Sequence, residues 1–217
     1  MEIKEFVQIK DLSYFGYCHY LLNKYGAATM NYFTPNGGKN KVTRTKERLY
    51  CHHIYEDRAP LLSTPEYAEE APAYYQDACN LVYCDILEHL FLHVKIAKES
   101  LDRKDYANPC NPSSIFGIGG VIDYIVPELI DYYAGWKPKK EWQINCLKVC
   151  DNNYVVFLEI LKYYRKHILL HPLIDDPNYD NEVEESMFTS FNEQYGSWAS
   201  YKNTGIYNQI REYTRRD

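Results

Sequence analysis

Five residues stand at spacings that suit metal-assisted chemistry: the adjacent pair His52-His53, then Asn80, then His89 and His93. His89 and His93 are four apart in a segment of helical pattern, so their imidazoles project from one helix face. Two imidazoles held this way can grip one cation while the backbone fixes their geometry. His52-His53 falls in Leu49-Tyr50-Cys51-His52-His53-Ile54, a run of strand-forming residues. Neighbours on a strand point to opposite sides. One histidine of the pair can therefore complete a three-nitrogen face while the other turns toward a substrate. Three nitrogens leave coordination positions for water or a phosphate oxygen. A neutral histidine near its ordinary pKa suits the role of general base. Such a division of roles suits hydrolysis of a phosphodiester.

Neither half of the pattern is informative alone. Seven histidines in 217 residues yield an adjacent pair about 0.2 times by composition, and His-x3-His about as often. His167 and His171 repeat the second spacing just before Pro172 and read as a helix end. The signal lies in the conjunction of the pair, the asparagine and the helical histidines.

The elements that must position these residues are legible. Asp11 to Tyr25 reads as a helix, with Asp11 as its N-cap and Gly26 as its stop. Pro35-Asn36-Gly37-Gly38 marks a loop. A polar connection from Tyr55 to Cys79 contains a short helix within Pro65 to Ala78. Leu81-Val82-Tyr83 is a second strand. Asp85 with Glu88 forms a capping box for a helix running to about Ser100. Asn108 to Ser114 is the clearest linker. Beyond it, helices are expected over Gly120–Ala134, Glu141–Val149, Asn153–Leu170 and Tyr207–Arg215, with Pro127 kinking the first or marking its start. The fold class is therefore α+β, mainly α with a small ββα unit. Three regions are expected: an N-terminal helical segment and basic arm (1–45), the ββα unit (46–100) and a helical C-terminal region (111–217).

Composition sets the surroundings. Charged residues make up 25% of the chain, which excludes bulk disorder. No stretch reaches the roughly 18 apolar residues of a spanning helix, and Met1 to Lys10 carries charges where a leader needs an apolar run. The expected setting is cytoplasmic, without membrane contact. The seven cysteines include no Cys-x-x-Cys pair and read as reduced thiols. Net charge is −6, but it is uneven. Lys39, Lys41, Arg44, Lys46 and Arg48 form a basic run, candidates for phosphate contact. Asp175 to Glu185 forms an acidic one. Tyrosine is abundant, 23 residues, and suits half-buried polar surfaces.

The run His52-His53-Ile54, then Asn80-Leu81-Val82-Tyr83-Cys84, then His89 and His93 resembles the HNH (ββα-metal, His-Me finger) endonucleases, especially their colicin-DNase-like two-histidine variant. The likeness covers about residues 46–100. It implies that His52, His89 and His93 hold one divalent metal ion, that His53 is the general base, and that Asn80 positions the loop carrying the base. The flanking helices resemble those of phage and bacterial HNH-like proteins. Three features depart from the pattern. The connection between the motif halves is long and lacks a Gly-Gly; Glu56-Asp57-Arg58 stands there instead, where it can alter the metal shell. Tyr50 occupies a position that is acidic in the colicin-like variant. The net charge is negative.

The expectation is a metal-dependent DNA endonuclease, working with Mg²⁺ or Mn²⁺ and able to bind Zn²⁺ or Ni²⁺. The alternative is a protein that keeps the ββα scaffold for binding DNA or a protein partner through its C-terminal helices, with catalysis weak or lost. A purely structural zinc site is a third reading, disfavoured because adjacent histidines do not easily face one ion.

Overall fold

In a computed structural model, residues 1–104, 115–174 and 205–216 are described. The linker Asn108–Ser114 and the acidic run Asp175–Glu185 lie outside them. The described chain is mostly helical, with one two-stranded antiparallel sheet. Helices α1 (Ile3–Ile9) and α2 (Tyr14–Tyr25) precede strand β1 (Tyr50–His53). A 3₁₀ turn (Ile54–Asp57), α3 (Pro65–Glu70) and two further 3₁₀ turns (Ala73–Gln76, Ala78–Asn80) lead to β2 (Leu81–Cys84) and the long helix α4 (Ile86–Arg103). Then come a π-helical segment (Gly120–Ile125), α5 (Val126–Tyr133), α6 (Glu141–Leu147), α7 (Tyr154–Tyr164) with a π-helical extension, and α8 (Ile206–Thr214).

Helix α2 starts later than its sequence suggests. Ser13, not Asp11, is the N-cap, with its hydroxyl accepting from Gly16 N at 3.1 Å. The reason is tertiary. Lys95 of α4 reaches back to donate to the carbonyls of Lys10, at 2.6 Å, and Leu12. It satisfies oxygens at the C-terminal end of α1 and keeps this stretch out of a helix. Gly26 ends α2 as expected, with φ 80°.

The register of the hairpin pairs His52 with Val82 and His53 with Leu81. Helix α4 follows β2 through the capping box: Glu88 N donates to Asp85 Oδ1 at 2.8 Å, and Asp85 N donates to Glu88 Oε2 at 2.7 Å. Glu88 also takes Lys24 at 2.7 Å, and Lys24 holds Glu5, so this cap ties α1 and α2 to the start of α4.

Helix α4 is the hub. It is buried around most of its circumference, with Leu87, Leu90, Phe91, Val94 and Ala97 all at 0% exposure, as expected of a helix covered on several sides. Its core is shared with Phe6, Tyr17, Val82, Val126, Phe157 and Ile210, residues from all three expected regions. Pro127 lies in the first turn of α5. Lacking an N–H, it marks the junction with the π-helical segment before it. No helix among the described residues is long and apolar enough to cross a membrane.

Candidate metal centre

Strand β1 ends at the adjacent histidines, and its pleat sends them to opposite sides. His52 turns toward α4; its ring centroid lies 5.2 Å from those of both His89 and His93. One ligand atom from each of these three rings lies within 4.8 Å of the others, so the trio can hold a metal ion. His93 Nε2 and His89 Nε2 are 3.3 Å apart, one helical turn having stacked them.

The hydrogen bonds decide which nitrogen each ring offers. Tyr14, near the start of α2, is fully buried with its hydroxyl 2.9 Å from His52 Nε2 and 2.8 Å from the Ile54 carbonyl. A phenol has one proton. Donated to the Ile54 carbonyl, it leaves the oxygen to accept from His52 Nε2–H. His52 then presents an unprotonated Nδ1, which is buried without a hydrogen bond. A buried orphan nitrogen beside two further imidazoles fits a divalent ion, which would satisfy it.

Glycine shapes the other side of the cluster. A Cβ on Gly120 would stand 2.4 Å from His93 Nδ1 and 2.5 Å from its Cε1, so the His93 ring lies flat against the π-helical backbone. At Gly117, φ is +86° and a Cβ would stand 2.5 Å from the His93 carbonyl oxygen. Only glycine permits that approach with that backbone conformation.

Burial sets the electrostatics. It pushes His52 well below the ordinary histidine range, and the neighbouring His93 and His89 rings add to the effect. His89 falls to about 3 through burial and the His93 ring, opposed by Glu56. Burial takes His93 down to about 4, opposed by the Gly117 backbone. All three rings are neutral at pH 7, the form that ligates a cation.

His53 lies on the opposite side and is also buried, at 0% exposure. Its Nε2 meets Gln76 Oε1 at 2.9 Å, and Gln76 Nε2 donates to the Leu62 carbonyl at 3.2 Å. The amide oxygen therefore accepts from His53 Nε2–H, leaving Nδ1 without a hydrogen-bond partner, 3.5 Å from Glu56 Oε1. The Tyr32 ring covers His53 with centroids 4.4 Å apart. Asn80 acts on the turn before β2. Its Nδ2 donates to the Tyr74 carbonyl at 2.7 Å, bracing the turn that carries Gln76.

The basic run divides. Lys39, Lys41, Lys46 and Arg48 are exposed. Lys39 Nζ sits 4.9 Å over Tyr32, on the ring that covers His53. Arg44 is committed to the fold: it pairs with Glu47, donates to the Tyr25 carbonyl at 2.7 Å and lies over the Tyr83 ring. His167 packs on Tyr163 and His171 faces Asp102 at 3.8 Å, a pair separate from the cluster.

Tyr14, Gln76, Gly117 and Gly120 were not singled out by the sequence pattern. Three glycines within four positions, Gly117 to Gly120, were the available signal for a close backbone approach. Tyr14 and Gln76 had none, since nothing in their neighbourhood marks them. Tyr50, at the position acidic in the colicin-like variant, stacks on His89 with centroids 5.9 Å apart. No protein-family model matches this chain, and neither does any curated protein or solved structure.

Proposed function

We propose that the protein is a divalent-metal-dependent endonuclease of the HNH type that hydrolyses DNA phosphodiester bonds. The observation that carries this reading is the division of labour at the end of β1. His52 joins His89 and His93 in a cluster able to hold an ion, while the adjacent His53 points to the other face of the strand with its Nε2 held by Gln76. The hairpin-then-helix order of the elements supports it as well.

His53 Nδ1 takes a proton from the attacking water, whose oxygen forms the new bond to phosphorus as the bond to the sugar oxygen breaks. Gln76 holds the His53 tautomer through Nε2–H, and Asn80 braces the turn that presents Gln76. Lys39, Lys41, Lys46 and Arg48 are the phosphate-contacting candidates that remain once Arg44 is assigned to the fold. A divalent ion held by His52, His89 and His93 would supply charge stabilisation for the phosphate and the leaving oxygen. Imidazole donors favour Zn²⁺, Ni²⁺ or Mn²⁺ in affinity, and Mg²⁺ or Mn²⁺ is the expected working ion.

One observation favours a second reading. His53 has no exposed surface and is covered by Tyr32, which suits a scaffold that binds metal and a DNA or protein partner without hydrolysis. Plasmid nicking with Mg²⁺ or Mn²⁺, with and without chelator, separates the two. Chelator-sensitive cleavage that disappears in His53→Ala, with metal binding retained, supports the nuclease. Tight metal binding with no cleavage of DNA or RNA refutes it.

A further inference from the structure

Glu56 sits on the 3₁₀ turn that follows β1, four residues after His52. Its side chain is 13% exposed, and its two oxygens face different histidines. Oε2 lies 3.5 Å from His52 Nδ1 and 3.5 Å from His93 Nε2; Oε1 lies 3.5 Å from His53 Nδ1. The contact with His52 is not a hydrogen bond: Nδ1 is among the buried atoms without a hydrogen-bond partner. With the Nε2 proton engaged at Tyr14, that nitrogen presents a lone pair to a carboxylate. Two electron-rich groups held face to face in a buried site repel unless a proton or a metal ion lies between them, and here the carboxylate oxygen faces two rings of the same cluster.

The spacing points to which cation. Donors about 2.0–2.1 Å from a tetrahedral ion stand about 3.3–3.4 Å from one another. Glu56 Oε2 to His52 Nδ1, Glu56 Oε2 to His93 Nε2, and His93 Nε2 to His89 Nε2 measure 3.5, 3.5 and 3.3 Å, while the three histidine atoms together lie within 4.8 Å of one another, so the cluster would contract around an ion. We propose that Glu56 is the fourth donor to the ion held by His52, His89 and His93, so that the resting site is a closed three-nitrogen, one-oxygen shell.

This rests on the metal reading of the same site and adds to it. A closed tetrahedral set of this kind fits Zn²⁺ or Co²⁺ in the resting site, whereas Mg²⁺, which demands octahedral oxygen coordination, would work there only once the shell has opened. It also means that a phosphate oxygen reaching the ion would have to displace Glu56 or expand the shell to five donors.

The test is Co²⁺ titration of the full chain after chelator treatment, read by visible absorption. The wild-type protein should bind one Co²⁺ with the intense absorption of a tetrahedral ion. Glu56→Gln, nearly isosteric, should bind more than about tenfold more weakly and with the weak absorption of a hydrated, higher-coordinate ion. An independent measurement on the wild type removes any dependence on the variant's folding: Zn²⁺ addition should shift a carboxylate stretching band in the infrared difference spectrum. Co²⁺ binding with affinity and spectrum unchanged in folded Glu56→Gln overturns the role of Glu56 and leaves the metal reading intact, as does Zn²⁺ binding without a carboxylate shift. A wild-type chain that binds neither Co²⁺ nor Zn²⁺ overturns the metal reading itself, and this inference with it.

Discussion

The Tyr14 hydroxyl and His52 Nε2 lie 2.9 Å apart in the buried core, and this single contact selects the tautomer of a proposed metal ligand. The phenol comes from α2 and the imidazole from β1, so a helix that gives no residue to the cluster determines which nitrogen the cluster sees. Partners of this kind raise ligand basicity and hold ring orientation.

Removing the hydroxyl tests the contact. Tyr14→Phe preserves the ring and its volume but leaves the Ile54 carbonyl and His52 Nε2 without their shared partner. We expect a loss of about 1–3 kcal/mol in stability and, separately, a fall of about 10- to 100-fold in metal affinity. Denaturant midpoints and competition against a chromophoric chelator measure the two. If the folded variant binds metal as tightly as wild type, Tyr14 serves packing alone.

Gly120 gives a steric test with a neighbouring control. Glycine to alanine in a helical segment ordinarily stabilises by about 0.5–1 kcal/mol. At Gly120 the new Cβ would meet His93 ring atoms at 2.4–2.7 Å, so the ring must move and Gly120→Ala should weaken metal binding more than about tenfold. At Gly119 an added Cβ would stand 3.4 Å from Asp123 Oδ2, an ordinary contact, and Gly119→Ala should bind normally. Equal metal affinity in the two variants would show that His93 does not need this surface.

The neutral histidines make the metal-free protein sensitive to acid. Burial places the folded-state pKa values of His89 and His93 at about 3 and about 4, below their unfolded value. Below that unfolded value the unfolded chain binds protons that the folded rings refuse, so stability is lost as pH falls from about 6.5 toward about 4. Each ring kept neutral costs about 2 kcal/mol at about pH 5. Urea midpoints of chelator-treated protein should therefore drop between about pH 7 and about pH 5. A midpoint that holds steady across this window would show that the rings titrate normally in the fold.

Gln76 separates catalysis from metal binding. Because its amide holds the His53 tautomer, Gln76→Ala should reduce nicking within the ~10²–10⁴-fold range of a general base. Metal affinity should stay at the wild-type value, since Gln76 touches no proposed ligand. Loss of metal binding in this variant would place Gln76 in a different role.

The basic run should behave as two groups. Lys39→Ala and Lys41→Ala should each lower the salt dependence of DNA binding by about one phosphate contact, with stability unchanged. Arg44→Ala should instead destabilise the fold, because it removes the links to Glu47, the Tyr25 carbonyl and the Tyr83 ring. Thermal melts and salt-dependent DNA titrations distinguish these outcomes; a melting temperature unaffected by Arg44→Ala would refute its structural assignment.

Local chemistry made much of this molecule legible in its sequence. The capping box at Asp85, the stop at Gly26, the two short strands and the four-residue spacing of His89 and His93 each depend on residues close together along the chain. So does the opposite orientation of His52 and His53, which the pleat of any strand imposes. What could not be read locally was whatever depends on distant segments meeting. Lys95 capping the end of α1 moved the start of α2 from Asp11 to Ser13. The Tyr14 hydroxyl chose the His52 tautomer, and Gln76 the tautomer of His53. Gly117 and Gly120 opened a surface for His93. The turn after β1 carried Glu56 back over the same rings. The sequence by itself determined which donors exist and which face of each element they occupy, because backbone periodicity is local. Only the tertiary structure decided their protonation, their burial and the atom each presents, because those follow from packing and hydrogen bonds between elements far apart in the chain.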